Sequence, residues 1–174
     1  MENPIPTAVR QGDWLVFVDP GWNEQSPEVM PPPELILGGW IIDEDGNPGP
    51  FEPNPNYVPT DETLPTDPID AALRRAADGD NAVGEKIIAA LRDAVVEIGC
   101  DNRNDPLVGR APDGALCVVV ATAAIHKHRV EADRWWPVLG AMLPEIVPDG
   151  ADILINPGSP TRFRLLTRSL LPIE

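Results

Sequence analysis

Fourteen of the 22 prolines lie in the first 70 residues, and that crowding limits the fold more than any other feature of the chain. Each proline holds φ at about −65° and removes a backbone donor, so this half is barred from long helices and favours short strands and extended loops. The same residues hold 14 Asp and Glu against the single Arg10, whereas residues 71–174 hold 14 acids against 12 bases. The net charge of −15 therefore belongs to the front half. Charge of this sign argues against nucleic acid or an anionic membrane surface, where Lys and Arg must neutralise phosphates. It speeds encounter with a basic protein, and it also serves solubility.

A chain of 174 residues with 43% hydrophobic content fits one domain, residues 1–174, with a sizeable core. Its regions are a loose leader over 1–12, an acidic Pro-rich strand region over 13–67 and a helix/strand region over 68–174. No apolar run is long enough to span a bilayer, and the first thirty residues lack the basic-then-apolar pattern of a signal peptide. The expectation is a soluble, cytoplasmic protein. Cys100 and Cys117 are too few for a disulfide framework and are read as packing thiols.

Along the chain, Asp13 to Val18 reads as a buried strand and Glu24 to Pro33 as a stiff proline connector. Leu35 to Ile42 is a second strand with a possible bulge at Gly38-Gly39. Asp43 to Gly46 is a turn, and Gly49 to Glu52 a short edge strand, which makes a meander. Residues 53–67 cross the surface, with Tyr57 and Val58 as candidate pins. Asp67-Pro68 supplies a cap and first-position pair for a helix through about Ala77, and Ile87, Ile88, Leu91, Val95 and Ile98 fit a second helix over Ala82 to Glu97. Ala115 to Thr122 is a continuous apolar run typical of a central strand covered on both faces. His126 to Asp133 reads as polar and exposed, Arg134 to Leu143 as a short helix, and Ile153 to Ile155 as the last strand. In Asn156-Pro-Gly-Ser-Pro160, Pro157 and Gly158 suit a tight turn, Ser159 an N-cap and Pro160 the first position of a helix through Leu171. Strand, helix, strand, helix from residue 115 favours parallel pairing of its two strands. The fold class is α+β: a mixed β-sheet with Leu15 to Val18, Leu35 to Ile42, Leu116 to Ala121 and Ile153 to Ile155, packed by about four helices.

Sites of chemistry are sparse. Ser159 lacks the Gly-x-Ser-x-Gly elbow of a nucleophile, so the cap reading is preferred; a helix start there, with Arg162 and Arg164, is also a candidate anion site. His126, His128, Cys100 and Cys117 offer zinc-type ligands, but the cysteines are not a close pair, and no metal or cofactor is expected. Asp43-Glu44-Asp45 resembles part of a calcium loop, yet Pro48 stands where the EF-hand needs Gly and Asn54 where it needs Glu. No acid pair can be singled out for proton transfer, and no catalytic residue is named. Trp135 and Trp136 on one short helix cannot both face the core, so one of them is an interface anchor or a lid, and Trp22 beside the proline connector poses the same choice.

The apolar strand followed by Asn156-Pro-Gly-Ser-Pro160 resembles the amino-terminal domain of SseB (enhanced serine sensitivity protein B). Together with Trp14 to Trp22, Met30-Pro-Pro-Pro33, Gly38-Gly-Trp40, Phe51 to Tyr57 and Pro65-Thr-Asp-Pro68, the ordered series resembles type VII secretion system-associated proteins of actinobacteria, which join an SseB-like domain to a Trp-rich leader. That resemblance implies an SseB-like fold and association with a secretion machine, and it brings no catalytic residues. The function it implies is a non-catalytic, cytoplasmic accessory that binds a protein partner as adaptor or chaperone. Asp43, Glu44, Asp45, Trp22, Trp135 and Trp136 are the candidate contact residues. The alternatives are an immunity protein that covers the basic cleft of a secreted toxin with its acidic face, and a small-ligand sensor or enzyme using the Ser159–Arg164 helix start.

Overall fold

The structure, a computed structural model, describes residues 8–22 and 29–171. Residues 1–7 of the expected leader and residues 24–28 of the expected connector lie outside the described residues. The class is α+β, as the composition of the two halves implies, but the strands form two sheets rather than one.

The first sheet is an antiparallel meander of β1 (Ala8–Gln11), β2 (Trp14–Val18), β3 (Ile36–Ile42) and β4 (Pro48–Pro53). Part of the supposed loose leader is thus a strand, since Ala8 to Gln11 pair with Phe17 to Trp14. Strand β3 is bulged, but beside the expected Gly38-Gly39 and not at it: both glycines pair in register with Phe17 and Val16, whereas Val18 pairs with Ile36, so Leu37 is the extra residue. A Cβ on Gly38 would run into the Phe51 ring and the Glu52 carbonyl, and glycine is what lets β4 close over β3. Trp40 meets Phe51 edge-on with ring centroids 4.9 Å apart. Both hairpin turns on this side, Gly12-Asp13 and Asp43 to Asn47, end up at the same end of the sheet, where the Ile42 N–H donates to the Asp13 carbonyl (2.7 Å).

Residues 53–67 cross the surface as expected, pinned by Tyr57 and not by Val58, which is 68% exposed. The buried Tyr57 hydroxyl donates to Asp19 Oδ2 (2.8 Å), and the Thr60 hydroxyl and Gly21 N–H donate to Asp19 Oδ1. Burial works against the Asp19 charge, but these donors outweigh it and hold its pKa below the usual carboxylate value.

The second sheet runs β10 (Phe163–Leu165), β9 (Asp152–Ile155), β7 (Leu116–Ala121), β5 (Val95–Cys100), β8 (Arg134–Leu139), with β6 (Val108–Arg110) on β7. Strand β7 is central: β9 lies parallel along one side, and β6 and β5 share the other. Helices α1 (Pro68–Ala77) and α2 (Gly84–Arg92) bring Ile69, Leu73, Ile87 and Leu91 onto Val96, Ile98, Val118, Val120, Ile153 and Ile155. Phe17, Leu37, Phe51 and Tyr57 join the same core, and the Phe51 N–H donates to the Asp93 carbonyl where the two sheets meet. Two one-turn helices, α3 (Ala124–Lys127) and α4 (Leu143–Ile146), complete the α-helices among the described residues.

Three helix expectations are corrected. The helix expected over 82–97 stops at Arg92, and Val95–Cys100 is a strand, because its branched residues bury Val96, Ile98 and Cys100 with a period of two. Arg134 to Leu139 is not helical: Pro137 cannot donate within a helix, and the segment pairs along the whole of β5 as an edge strand, where proline is tolerated. Pro160 to Leu171 is not one helix either. The chain turns at Ser159 to Thr161, lays Phe163–Leu165 on β9 and ends in a 3-10 turn over Thr167–Leu170.

Candidate functional site

The Asn-Pro-Gly-Ser-Pro turn is bound to the start of α1 instead of starting a helix of its own. Asp67 is the N-cap of α1, and its Oδ1 accepts from the Ile69 and Asp70 N–H groups (both 2.9 Å). Its Oδ2 accepts from the Thr66 hydroxyl (2.7 Å) and the Thr122 hydroxyl (2.6 Å) at the end of β7. Thr122 in turn accepts from Asn156 Nδ2 (2.9 Å), and Asn156 Oδ1 accepts from the Thr122 N–H (2.9 Å). Asn156 sits at φ 48°, a left-handed conformation that asparagine tolerates. Asp70 accepts from Arg74 Nε (2.8 Å), the Thr66 N–H (3.1 Å) and the Thr161 hydroxyl (2.7 Å). Ser159 Oγ accepts from the Thr161 N–H (3.0 Å) and lies 3.1 Å from the Thr161 hydroxyl. Every one of these groups except Arg74 is buried. They form a polar hub joining α1, β7, α3 and the turn after β9.

His126 of α3 closes the hub. The Thr66 hydroxyl gives its proton to Asp67, so the ring donates from Nε2 to Thr66 Oγ1 (3.0 Å). Nδ1 is then an acceptor, and it is the one buried side-chain N or O among the described residues with no hydrogen-bond partner. The ring is 3% exposed, contrary to the expectation of an exposed segment. Burial, reinforced by Arg129 and Arg74 against the opposing Asp70, holds its pKa below the ordinary 6.5. Burial, followed by the Asp70 charge, raises the pKa of Asp67 above 3.8 despite its hydroxyl and N–H donors.

The two shifts act on stability with opposite signs. Below pH 6.5 the unfolded chain takes up a histidine proton that the buried ring resists, so stability falls as pH falls. Above pH 3.8 the unfolded chain releases a carboxyl proton that Asp67 keeps longer, so stability falls as pH rises. The contributions oppose one another between these limits. Asp67→Asn removes the second, and its stability, measured by urea unfolding from pH 7 to pH 4, is expected to fall with acid more steeply than wild type; a parallel profile would contradict the assignment.

The arrangement holds no activated nucleophile. Ser159 is engaged with Thr161, and His126 donates to Thr66 instead of taking its proton. Ser159 caps no helix, and the anion site expected at a Ser159–Arg164 helix start has no helix to form it. Arg162 is exposed, while Arg164 on β10 pairs with Asp152 (2.6 Å) on β9 and with Asp113 (2.8 Å) in the β6–β7 turn. Cys100 and Cys117 are free, buried thiols whose pKa values burial raises. Among the described residues no group of three or more His, Cys, Asp or Glu could hold a metal ion.

Five of the six expected contact residues fall in two places. Asp43, Glu44 and Asp45 lie exposed in the β3–β4 turn, where Asp43 Oδ1 accepts from the Asn47 N–H (2.7 Å) and Gly46 takes φ 84°. Exposed Asp13 joins them at that end of the sheet. None of the four is in an ion pair: among the described residues all five ion pairs fall between Asp70 and Arg164. Trp135 and Trp136 lie on the edge strand β8, and on a strand they face opposite sides. Trp135 packs opposite Gly99, and Trp136 is 50% exposed beside Ile98. Trp22 is half-buried, with its N–H on the Asp19 carbonyl, away from both places in the chain. A surface groove with a volume of about 440 Å³ runs between the sheets, lined by Trp40, Pro48 to Pro50, Arg92, Asp93 and Leu139. It thus joins the strand that leaves the acidic turn to the end of the Trp-bearing strand.

No helix among the described residues is long and apolar enough to cross a membrane. In comparisons with known proteins, no family model, curated protein or solved structure matches the chain.

Proposed function

We propose that this protein is a non-catalytic, cytoplasmic accessory that binds a basic protein partner, in the adaptor or chaperone role that its resemblance to type VII secretion-associated, SseB-like proteins implies. The observation that carries the reading is the convergence of Asp13, Asp43, Glu44 and Asp45, all exposed and without ion pairs, at one end of the first sheet. Carboxylates left unpaired in this way steer a basic surface and discriminate against acidic ones. The groove beside them supplies apolar contact area next to the charge, and the half-exposed Trp136 on β8 is a separate anchor. A toxin with a basic cleft is one partner of this chemistry, and it is distinguished by tight one-to-one binding.

Reversing Asp43, Glu44 and Asp45 to Lys is expected to weaken capture of the partner at least tenfold, because three like charges then face its basic surface. Melting should change little, since the turn's side chains are exposed. Trp136→Ala is expected to weaken capture independently of salt, whereas the wild-type interaction should weaken as salt screens the charges. Capture by the triple variant at wild-type strength would remove the acidic end of the sheet from the interface.

A further inference from the structure

We propose that the outer face of α2 is a self-complementary docking surface, on which a second copy of this chain packs its own α2 antiparallel about a two-fold axis. Ile88, Ala89 and Arg92 lie three, four and seven residues beyond Glu85, so the four share one stripe of the helix. That stripe lines a surface groove of about 460 Å³ together with Ser169 and Leu171, which follow β10. Ile87 and Leu91 hold the opposite side of α2 in the core. The stripe itself is open: Glu85 and Ala89 are exposed, Ile88 and Arg92 are half-buried, and Leu171 on the groove is 52% exposed. Among the described residues neither Glu85 nor Arg92 is in an ion pair.

The order of residues along the stripe selects the occupant. An axis passing between Ile88 and Ala89 sets Glu85 of each copy against Arg92 of the other, and Ile88 of each copy beside Ala89 of the other. Acid meets base at both flanks and large meets small at the seam. The small Ala89 leaves room for the facing ridge at the interaxial distance of about 8–10 Å that packed helices adopt. A parallel arrangement would set Glu85 on Glu85 and Arg92 on Arg92. A uniformly basic partner would suit Glu85 and be opposed by Arg92, so this face calls for a different occupant from the acidic turn.

Glu85 stands in the first turn of α2 and Arg92 in its last, a polarity that also suits the helix dipole within one chain. That role needs no second copy, and exchanging the charges between two copies separates it from docking. The surface includes none of the acidic-turn residues, so it stands or falls apart from the proposed function.

The experiment is analytical ultracentrifugation of the full chain in about 0.15 M salt, where the Debye length is about 8 Å and repulsion between the excess acids of two copies is screened. The expected result is a monomer–dimer equilibrium with a dissociation constant of roughly 1–100 µM, in keeping with a small interface. Glu85→Arg and Arg92→Glu each place like charges at both flanks of the pair, and each variant alone should dimerise at least tenfold more weakly. Mixed in equal amounts, the two variants should regain the wild-type affinity as a heterodimer, because one copy then carries two bases and the other two acids. Both positions lie on the open face of α2, and thermal melting verifies that each variant is folded. A helix-dipole role alone predicts no recovery in the mixture. Wild type that stays monomeric up to about 1 mM, single variants that associate as strongly as wild type, or a mixture of folded variants that stays monomeric would each overturn the proposal.

Discussion

Replacing Gly140 by Ala is expected to destabilise the protein by about 4 kcal/mol and to lower its Tm by roughly 10 °C, the largest effect of any single methyl group in this fold. Gly140 is buried at the point where β8 leaves the sheet edge, and its N–H donates to the Ala94 carbonyl (2.9 Å). A Cβ there would overlap the Leu91 carbonyl, in the last turn of α2. Backbone cannot rotate away as a side-chain tip can. The clash must separate α2 from β8, and Leu91, Ala94 and Val138 all pack at that junction. Thermal unfolding followed by circular dichroism checks this; a loss below about 1 kcal/mol would show that the junction yields freely.

Asp67→Ala is expected to cost about 3 kcal/mol. The N-cap alone accounts for roughly 1 kcal/mol of this, and the rest follows from leaving the Thr66 and Thr122 hydroxyls buried without their acceptor. Asp67→Asn retains an oxygen at the cap position and should cost less than half as much, because hydroxyls can turn to accept from its amide. Equal losses in the two variants, measured by urea unfolding at pH 7, would mean that the carboxylate charge and not the hydrogen-bond pattern holds the hub together.

Elements specified by neighbouring residues were legible in the sequence. Asp67-Pro68 starts α1, Asp43 to Gly46 turns the chain, and the apolar run from Leu116 is the central strand, parallel to β9. Elements chosen by tertiary pairing were not. Ile87, Ile88, Leu91, Val95 and Ile98 satisfy a helical period, yet Val95 onward joins the sheet, where Val96 and Ile98 are fully buried between β7 and β8. The branched residues at 95, 96 and 98, and Pro137 inside the supposed Trp helix, are the local signals that favoured strands. Ser159 and Pro160 suit a helix start, but the open edge of β9 takes Phe163–Leu165 instead.

The hub was invisible for a related reason. Thr122 is 55 residues from Asp67, His126 is 60 from Thr66 and Thr161 is 91 from Asp70, and no periodicity relates positions so far apart. Ser159 and Asn156 stand out in the sequence as a turn motif, and the structure shows what the turn is fastened to. The acidic end of the first sheet was half legible: Asp43, Glu44 and Asp45 are a visible run, whereas Asp13 joins them only through the pairing of β2 with β3.

Purification of the tagged protein from its native host, with mass spectrometry of what it retains and the Asp43, Glu44 and Asp45 to Lys variant run alongside, tests the proposed function most directly. The expected result is a basic polypeptide held by the wild type, released by salt and lost from the variant. Retention of no polypeptide at low salt, or retention of the same one by both proteins, would contradict it.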